Sequence, residues 1–120
     1  MANGGIEMKG FIKELVQSIN RFFSRVNSYK EVLELQDDPD QITRKTLVLI
    51  TDGKSYKWLK FRCPCGCGTE VNLPLMKNRK PHWTVFNECE GIISVYPSID
   101  LRLPGCGAHF WIDKNRVKWA

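Results

Sequence analysis

The chain has no apolar run longer than Leu47–Ile50, and a membrane-spanning helix needs about 20 such residues. Nothing in Met1–Gly10 resembles an apolar core followed by a small-residue cleavage site, so no secretory signal is expected. Cysteine is sparse and odd in number, five in 120 residues, with three of them packed into Cys63-Pro64-Cys65-Gly66-Cys67. An exported disulfide protein usually spreads an even set, so the pattern favours metal over disulfides and a cytoplasmic location. Only two histidines occur, and neither belongs to a His-Glu-x-x-His pair, which argues against a zinc metallopeptidase. The Gly-x-Ser-x-Gly pattern of many serine hydrolases is also missing. There is no internal repeat and no low-complexity tract.

What the chain does carry begins with an uneven charge. The net formal charge is +5. Residues 1–30 hold Lys9, Lys13, Arg21, Arg25 and Lys30 against Glu7 and Glu14, so most of the excess lies there. The remainder is too nearly neutral to make a nucleic-acid surface, and no nucleic-acid partner is expected. Within 6–26, Met8, Phe11, Ile12, Leu15, Val16, Ile19, Phe22, Phe23 and Val26 recur at helical spacing. This predicts an N-terminal amphipathic helix within a segment 1–28. Such a helix packs on the domain or on a second copy; a basic one can also lie on an anionic membrane surface or dock in a partner's groove.

From residue 29 to 120 the pattern turns to strands. Segments Tyr29–Leu35, Leu47–Thr51, Tyr56–Arg62, Glu70–Leu73, Trp83–Phe86, Ile92–Tyr96, Ala108–Ile112 and Arg116–Trp119 read as β. Asp52-Gly53-Lys54 looks like a hairpin turn, and Asp37-Asp38-Pro39-Asp40 a sharper break. The expected fold class is mainly β: one antiparallel domain over 29–120, stapled by a zinc site, with the helix appended.

Zn²⁺ prefers thiolates and takes four in a tetrahedral structural site. Pro64 stiffens the cysteine turn, while Gly66 and Gly68 let it curl so that amides can point at sulfur. Cys106, in Gly105-Cys106-Gly107, is the other glycine-flanked cysteine. Cys63, Cys65, Cys67 and Cys106 therefore make a set of four ligands for one zinc per chain, from two loops. Adjacent Cys-x-Cys-x-Cys sulfurs are too crowded for easy disulfides. Cys89, between two glutamates, is expected to be a free thiol. His109, three residues beyond Cys106, competes as a ligand; if it binds metal, one clustered cysteine is spare.

A second constellation is Tyr96-Pro97-Ser98-Ile99 followed by Gly107-Ala108-His109-Phe110-Trp111. Ser98 follows a strand and a proline, where the chain should turn and expose its hydroxyl. A serine becomes nucleophilic when a positioned imidazole takes its proton. A metal anchored at Cys106 would fix the backbone beside His109, and Gly105 and Gly107 could leave amides for an oxyanion. The plainer reading makes Ser98 a turn residue and His109 a structural side chain. Asp113, Asp100 and Glu70 stand open as a third member. Asp113 shares the strand face of His109 but lies roughly 13 Å along it. His82 reads as structural.

Taken in order, Phe61-Arg62-Cys63-Pro64-Cys65-Gly66-Cys67-Gly68, Trp83, Pro97-Ser98-Ile99, Cys106-Gly107-Ala108-His109-Phe110-Trp111-Ile112 and Trp119 resemble a family of small bacterial proteins. These are encoded beside ubiquitin-like proteins and their activating and conjugating enzymes. The resemblance runs from about Leu47 to Trp119. It implies a zinc-containing serine peptidase that processes a ubiquitin-like precursor or removes the modifier from conjugates. By that likeness Ser98 is the nucleophile and His109 the general base, with Cys63, Cys65, Cys67 and Cys106 on a structural zinc. The runner-up is a non-catalytic zinc module that binds a protein partner, with Trp83, Trp111 and Trp119 as core or docking surface.

Overall fold

The structure, a computed structural model, describes residues 25–102 and 105–120. Except for its last two residues, the helix expected over 6–26 lies outside the described residues. Eight strands follow: β1 (Glu31–Leu35), β2 (Thr46–Thr51), β3 (Tyr56–Arg62), β4 (Glu70–Pro74), β5 (Thr84–Cys89), β6 (Ile92–Asp100), β7 (His109–Asp113) and β8 (Arg116–Trp119). They form two four-stranded sheets, ordered β1-β2-β3-β4 and β5-β6-β7-β8. All eight segments expected from the sequence are strands, to within a few residues at their ends.

Alternation explains the sheets. In β3, Leu59 and Phe61 are fully buried while Trp58 and Arg62 on the other face are half-buried. In β7, Phe110 and Ile112 are buried, and His109, Trp111 and Asp113 point the other way. The inward residues of both sheets, among them Leu47, Leu49, Val71, Ile93, Val95 and Ile99, share one core. Phe61 of one sheet meets Phe110 of the other edge-on, with centroids 6.2 Å apart. Each such side chain contributes about 1.5–3 kcal/mol by leaving water. Tyr29 ties the sheets further. Its hydroxyl donates to the Arg62 carbonyl at 2.8 Å, and its amide donates to the Asn115 carbonyl at 2.7 Å.

One expectation needs correction. The sheets are not wholly antiparallel, because β1 runs parallel to β2, with Glu31 opposite Thr46 and Leu35 opposite Ile50. A parallel neighbour needs a crossover rather than a hairpin, and residues 36–45 supply it. Arg62 Nε donates to the Ile42 carbonyl at 3.1 Å, and Lys60 Nζ is paired with Asp38. Both cations are on the outer face of β3, so the crossover lies over that face and buries Ile42 there. Asp37–Asp40 therefore belongs to a crossover, not to a simple turn. The Asp52–Ser55 connection is a hairpin, as its Asp-Gly pair suggests. Asp52 Oδ1 accepts from the Lys54 and Ser55 amides at 2.8 Å each, and Gly53 takes φ of 91°.

Candidate active site and metal centre

The cysteine turn leaves β3 and returns into β4. The Cys63 amide donates to the Thr69 carbonyl at 2.8 Å, closing the loop, and Gly66 sits at φ of 91°, a conformation that side chains resist. Across from it, the 105–107 loop enters β7. A Cβ on Gly105 would stand 2.2 Å from the Leu101 carbonyl oxygen, so only glycine allows this loop to fold so tightly. The two loops bring Cys63, Cys65, Cys67 and Cys106 together with all four sulfurs within 4.8 Å of one another. Cys63 Sγ lies 3.4 Å from that of Cys65 and 3.5 Å from that of Cys106, and the last two are 3.6 Å apart.

Those spacings fit a tetrahedral thiolate centre, whose sulfurs lie about 3.8 Å apart when each metal–sulfur bond is about 2.3 Å. The amides of Cys65, Thr69 and Ala108 point at the sulfurs of Cys63, Cys67 and Cys106. Burial pushes the Cys67 thiol up, but the Thr69 hydroxyl and amide prevail and bring it down to about 6. No disulfide joins these residues. The four can hold a metal ion. His109 is not part of this group; its ring is turned elsewhere. Cys89 is exposed on β5 and free of disulfide bonding.

Ser98 is not on a turn after a strand, as its proline suggested, but inside β6. Between the pairs Val95–Ile112 and Ile99–Phe110, β6 places Tyr96, Pro97 and Ser98 where β7 places only Trp111. Pro97 has no amide to give the ladder, so the strand bulges there instead of ending. The bulge is gripped from the other side by Trp83, whose indole N–H donates to the Ser98 carbonyl at 3.2 Å. His109 opens β7 on the same outer face. Its Nε2 lies 3.0 Å from Ser98 Oγ, and its ring stacks on Trp111 with centroids 5.7 Å apart at 28°. The His109 carbonyl accepts from the Ala120 amide at 2.9 Å, which holds its backbone.

Of the three carboxylates left open, only Asp100 stands beside His109, as its register partner across the strands. Asp100 is bound by Arg102, which donates from Nε at 2.9 Å, from Nη2 at 2.7 Å and from its amide at 3.0 Å. That grip, aided by the charge of His109, brings the Asp100 carboxyl down to about 2. Asp113 is paired with Lys118 at 2.7 Å, and Glu70 with Lys60 at 3.3 Å in the other sheet. The expected free amide at Gly107 is also corrected, since it donates to the Leu101 carbonyl at 3.0 Å. His82 Nδ1 lies 2.9 Å from the Arg79 carbonyl. Trp83 at Ser98 and Arg102 on Asp100 escaped sequence reading. The first contact joins distant segments without any local pattern, although the Asp-x-Arg spacing of the second was legible.

A cavity of about 720 Å³ opens beside the metal corner, walled by Arg25, Arg102, Cys106, His109 and Trp119. Arg25 lies over the Trp119 ring at 4.8 Å. A hydroxyl on an imidazole, next to a cluster of four cysteines on a two-sheet β scaffold, defines a class: small β proteins that join a serine–histidine pair to a cysteine cluster able to hold a metal. Within that class, the family model for the bacterial ubiquitination-like system serine protease (BubE) matches residues 34–120, and the chain belongs to this family. Neither the curated proteins nor the solved structures gave a match. Among the described residues, no helix is long and apolar enough to cross a membrane.

Proposed function

We propose that the chain is a cytoplasmic serine peptidase that processes or deconjugates a ubiquitin-like protein, with one structural zinc on Cys63, Cys65, Cys67 and Cys106. The observation that carries this reading is the 3.0 Å contact between Ser98 Oγ and His109 Nε2 on an open sheet face, in a chain of a serine protease family. His109 Nε2 takes the hydroxyl proton as Ser98 Oγ attacks the carbonyl at the end of the modifier. The same nitrogen returns the proton to the leaving amine, and water then releases the acyl group by the reverse proton path. Trp111 stacked on the imidazole and Trp83 on the Ser98 carbonyl hold the two groups in line. Cys63, Cys65, Cys67 and Cys106 would hold the zinc, which would tie the two loops together and take no part in the acyl transfer.

A second reading, a non-catalytic zinc module for protein binding, is favoured by one observation. Both oxygens of Asp100 are turned to Arg102, so the neighbouring carboxylate does not orient the imidazole. The experiment compares cleavage of the ubiquitin-like precursor by wild type, Ser98→Ala and His109→Ala, with zinc measured on all three. Loss of cleavage with one zinc retained in both variants is expected. A folded, zinc-loaded wild type that leaves precursor and conjugates intact overturns the enzyme in favour of the binding module.

A further inference from the structure

Among the described residues, four large hydrophobic side chains are exposed, and three of them cluster. Phe86 is 50% exposed, Tyr96 64% and Trp111 39%, and all three line one groove of about 320 Å³ on the outer face of the second sheet. Strand register explains the grouping. Phe86 is opposite Ser94, with Tyr96 the next outward residue along β6, and Trp111 faces the bulge that carries Ser98. Exposed aromatics gathered in this way mark binding surfaces far more often than chance exposure does. Trp111 joins the groove to the candidate active site, since it lines the groove and also stacks on His109.

The rim adds a sign. Asp113 and Lys118 neutralise each other at 2.7 Å, and the Ser94 hydroxyl accepts from the Lys114 amide. Glu88, at the far end from Ser98, has no ion-pair partner among the described residues. A groove of this volume admits side chains of an extended segment, not a folded domain.

We propose that this groove is the specificity subsite of the peptidase. It takes a large apolar side chain of an extended substrate tail close to the scissile bond, with Glu88 favouring a basic residue further along. This rests on the peptidase reading, deepens it, and assigns Phe86 and Tyr96 as specificity residues.

The test uses the full chain carrying Ser98→Ala, titrated with a labelled peptide spanning the scissile bond of the ubiquitin-like precursor. Adding Phe86→Ser should weaken Kd about 10-fold, while Leu33→Ser, an exposed apolar residue of the other sheet, should leave it unchanged. Replacing the peptide's large apolar residues by alanine should reproduce the loss, and Phe86→Ser should then add little. Glu88→Lys should weaken binding several-fold at low salt, with the difference closing at high salt. Affinity unchanged from the Ser98→Ala parent in both the Phe86→Ser and Tyr96→Ser variants overturns the groove, as does a matching loss in Leu33→Ser. The enzyme reading is checked apart from this, by labelling wild-type Ser98 with a small fluorophosphonate. No labelling with intact groove binding removes the peptidase and leaves the docking site. Labelling with indifferent groove variants does the reverse.

Discussion

On the first sheet, the outward cations of β3 are roofed by the 36–45 crossover. Lys60 is held by Asp38 and Glu70, and Arg62 by the Ile42 carbonyl. On the second sheet, the same outward positions carry Phe86, Tyr96 and Trp111, all exposed, with Ser98 and His109 half-buried among them. Both sheets fill the shared core with the same kind of side chain, so inward packing does not distinguish them. The difference lies in what each leaves for solvent. One spends its outer polar groups on internal pairs, and the other keeps a hydroxyl, an imidazole and aromatic surface available. Stability and chemistry are thus assigned to different faces, joined at the corner where Cys63, Cys65 and Cys67 from one sheet meet Cys106 from the other.

The hardest way to break that division is at the corner. Cys63 is 2% exposed and contacts both Cys65 and Cys106. Cys63→Ser should cost zinc, and with it a fall in Tm of tens of degrees, because metal binding to such sites is coupled to folding with about 10 kcal/mol or more. Metal analysis and thermal melts check this, and strong chelators on wild type should reproduce it. A variant that keeps its Tm would mean the sheets hold together without the metal.

A smaller effect is expected on the open face. Asp100→Asn removes the charge opposite His109 but no hydrogen bond to its ring. The turnover rate should fall by about 10-fold or less, and less still at high salt, with Tm unchanged. A loss of about 10⁴-fold, the size seen when a triad carboxylate is neutralised, would show Asp100 leaving Arg102 for the imidazole during catalysis. On the covered face the converse should hold. Lys60→Met should cost about 1 kcal/mol, a Tm fall of roughly 4 °C, with kcat and KM unmoved.

How much of this was legible depends on the range of the interaction. β-forming residues bounded by turn signals located all eight strands, and in strands such as β3 and β7 Leu59 and Phe61, or Phe110 and Ile112, sit at a period of two. The four cysteines were legible because thiolate chemistry and glycine-lined loops leave few alternatives. What failed was non-local. Nothing in Glu31–Leu35 says which way its neighbour runs; that depends on where 36–45 can pack. Pro97 reads as the end of a strand, yet β7 on one side and Trp83 on the other carry β6 through it as a bulge. The aromatic groove was hidden for the same reason. Phe86, Tyr96 and Trp111 come from three strands, and only their register makes them one surface.

The smallest predicted effect concerns Asp100 and Arg102. Arg102 donates to both carboxylate oxygens and brings the folded pKa from 3.8 to about 2. Because the folded value lies below the unfolded one, the pair's favourable contribution is present above pH 3.8. It is lost as pH falls toward 2. Both partners are solvated, so the energy is small and screened, and Tm at neutral pH should not respond to Arg102→Ala. The carboxyl carbon of Asp100, followed by NMR, should respond, its midpoint moving from near 2 up toward 3.8. A midpoint that stays low in Arg102→Ala would transfer the cause to His109. That would draw Asp100 into the Ser98–His109 pair, and erase the distinction between a neighbouring charge and a working third member.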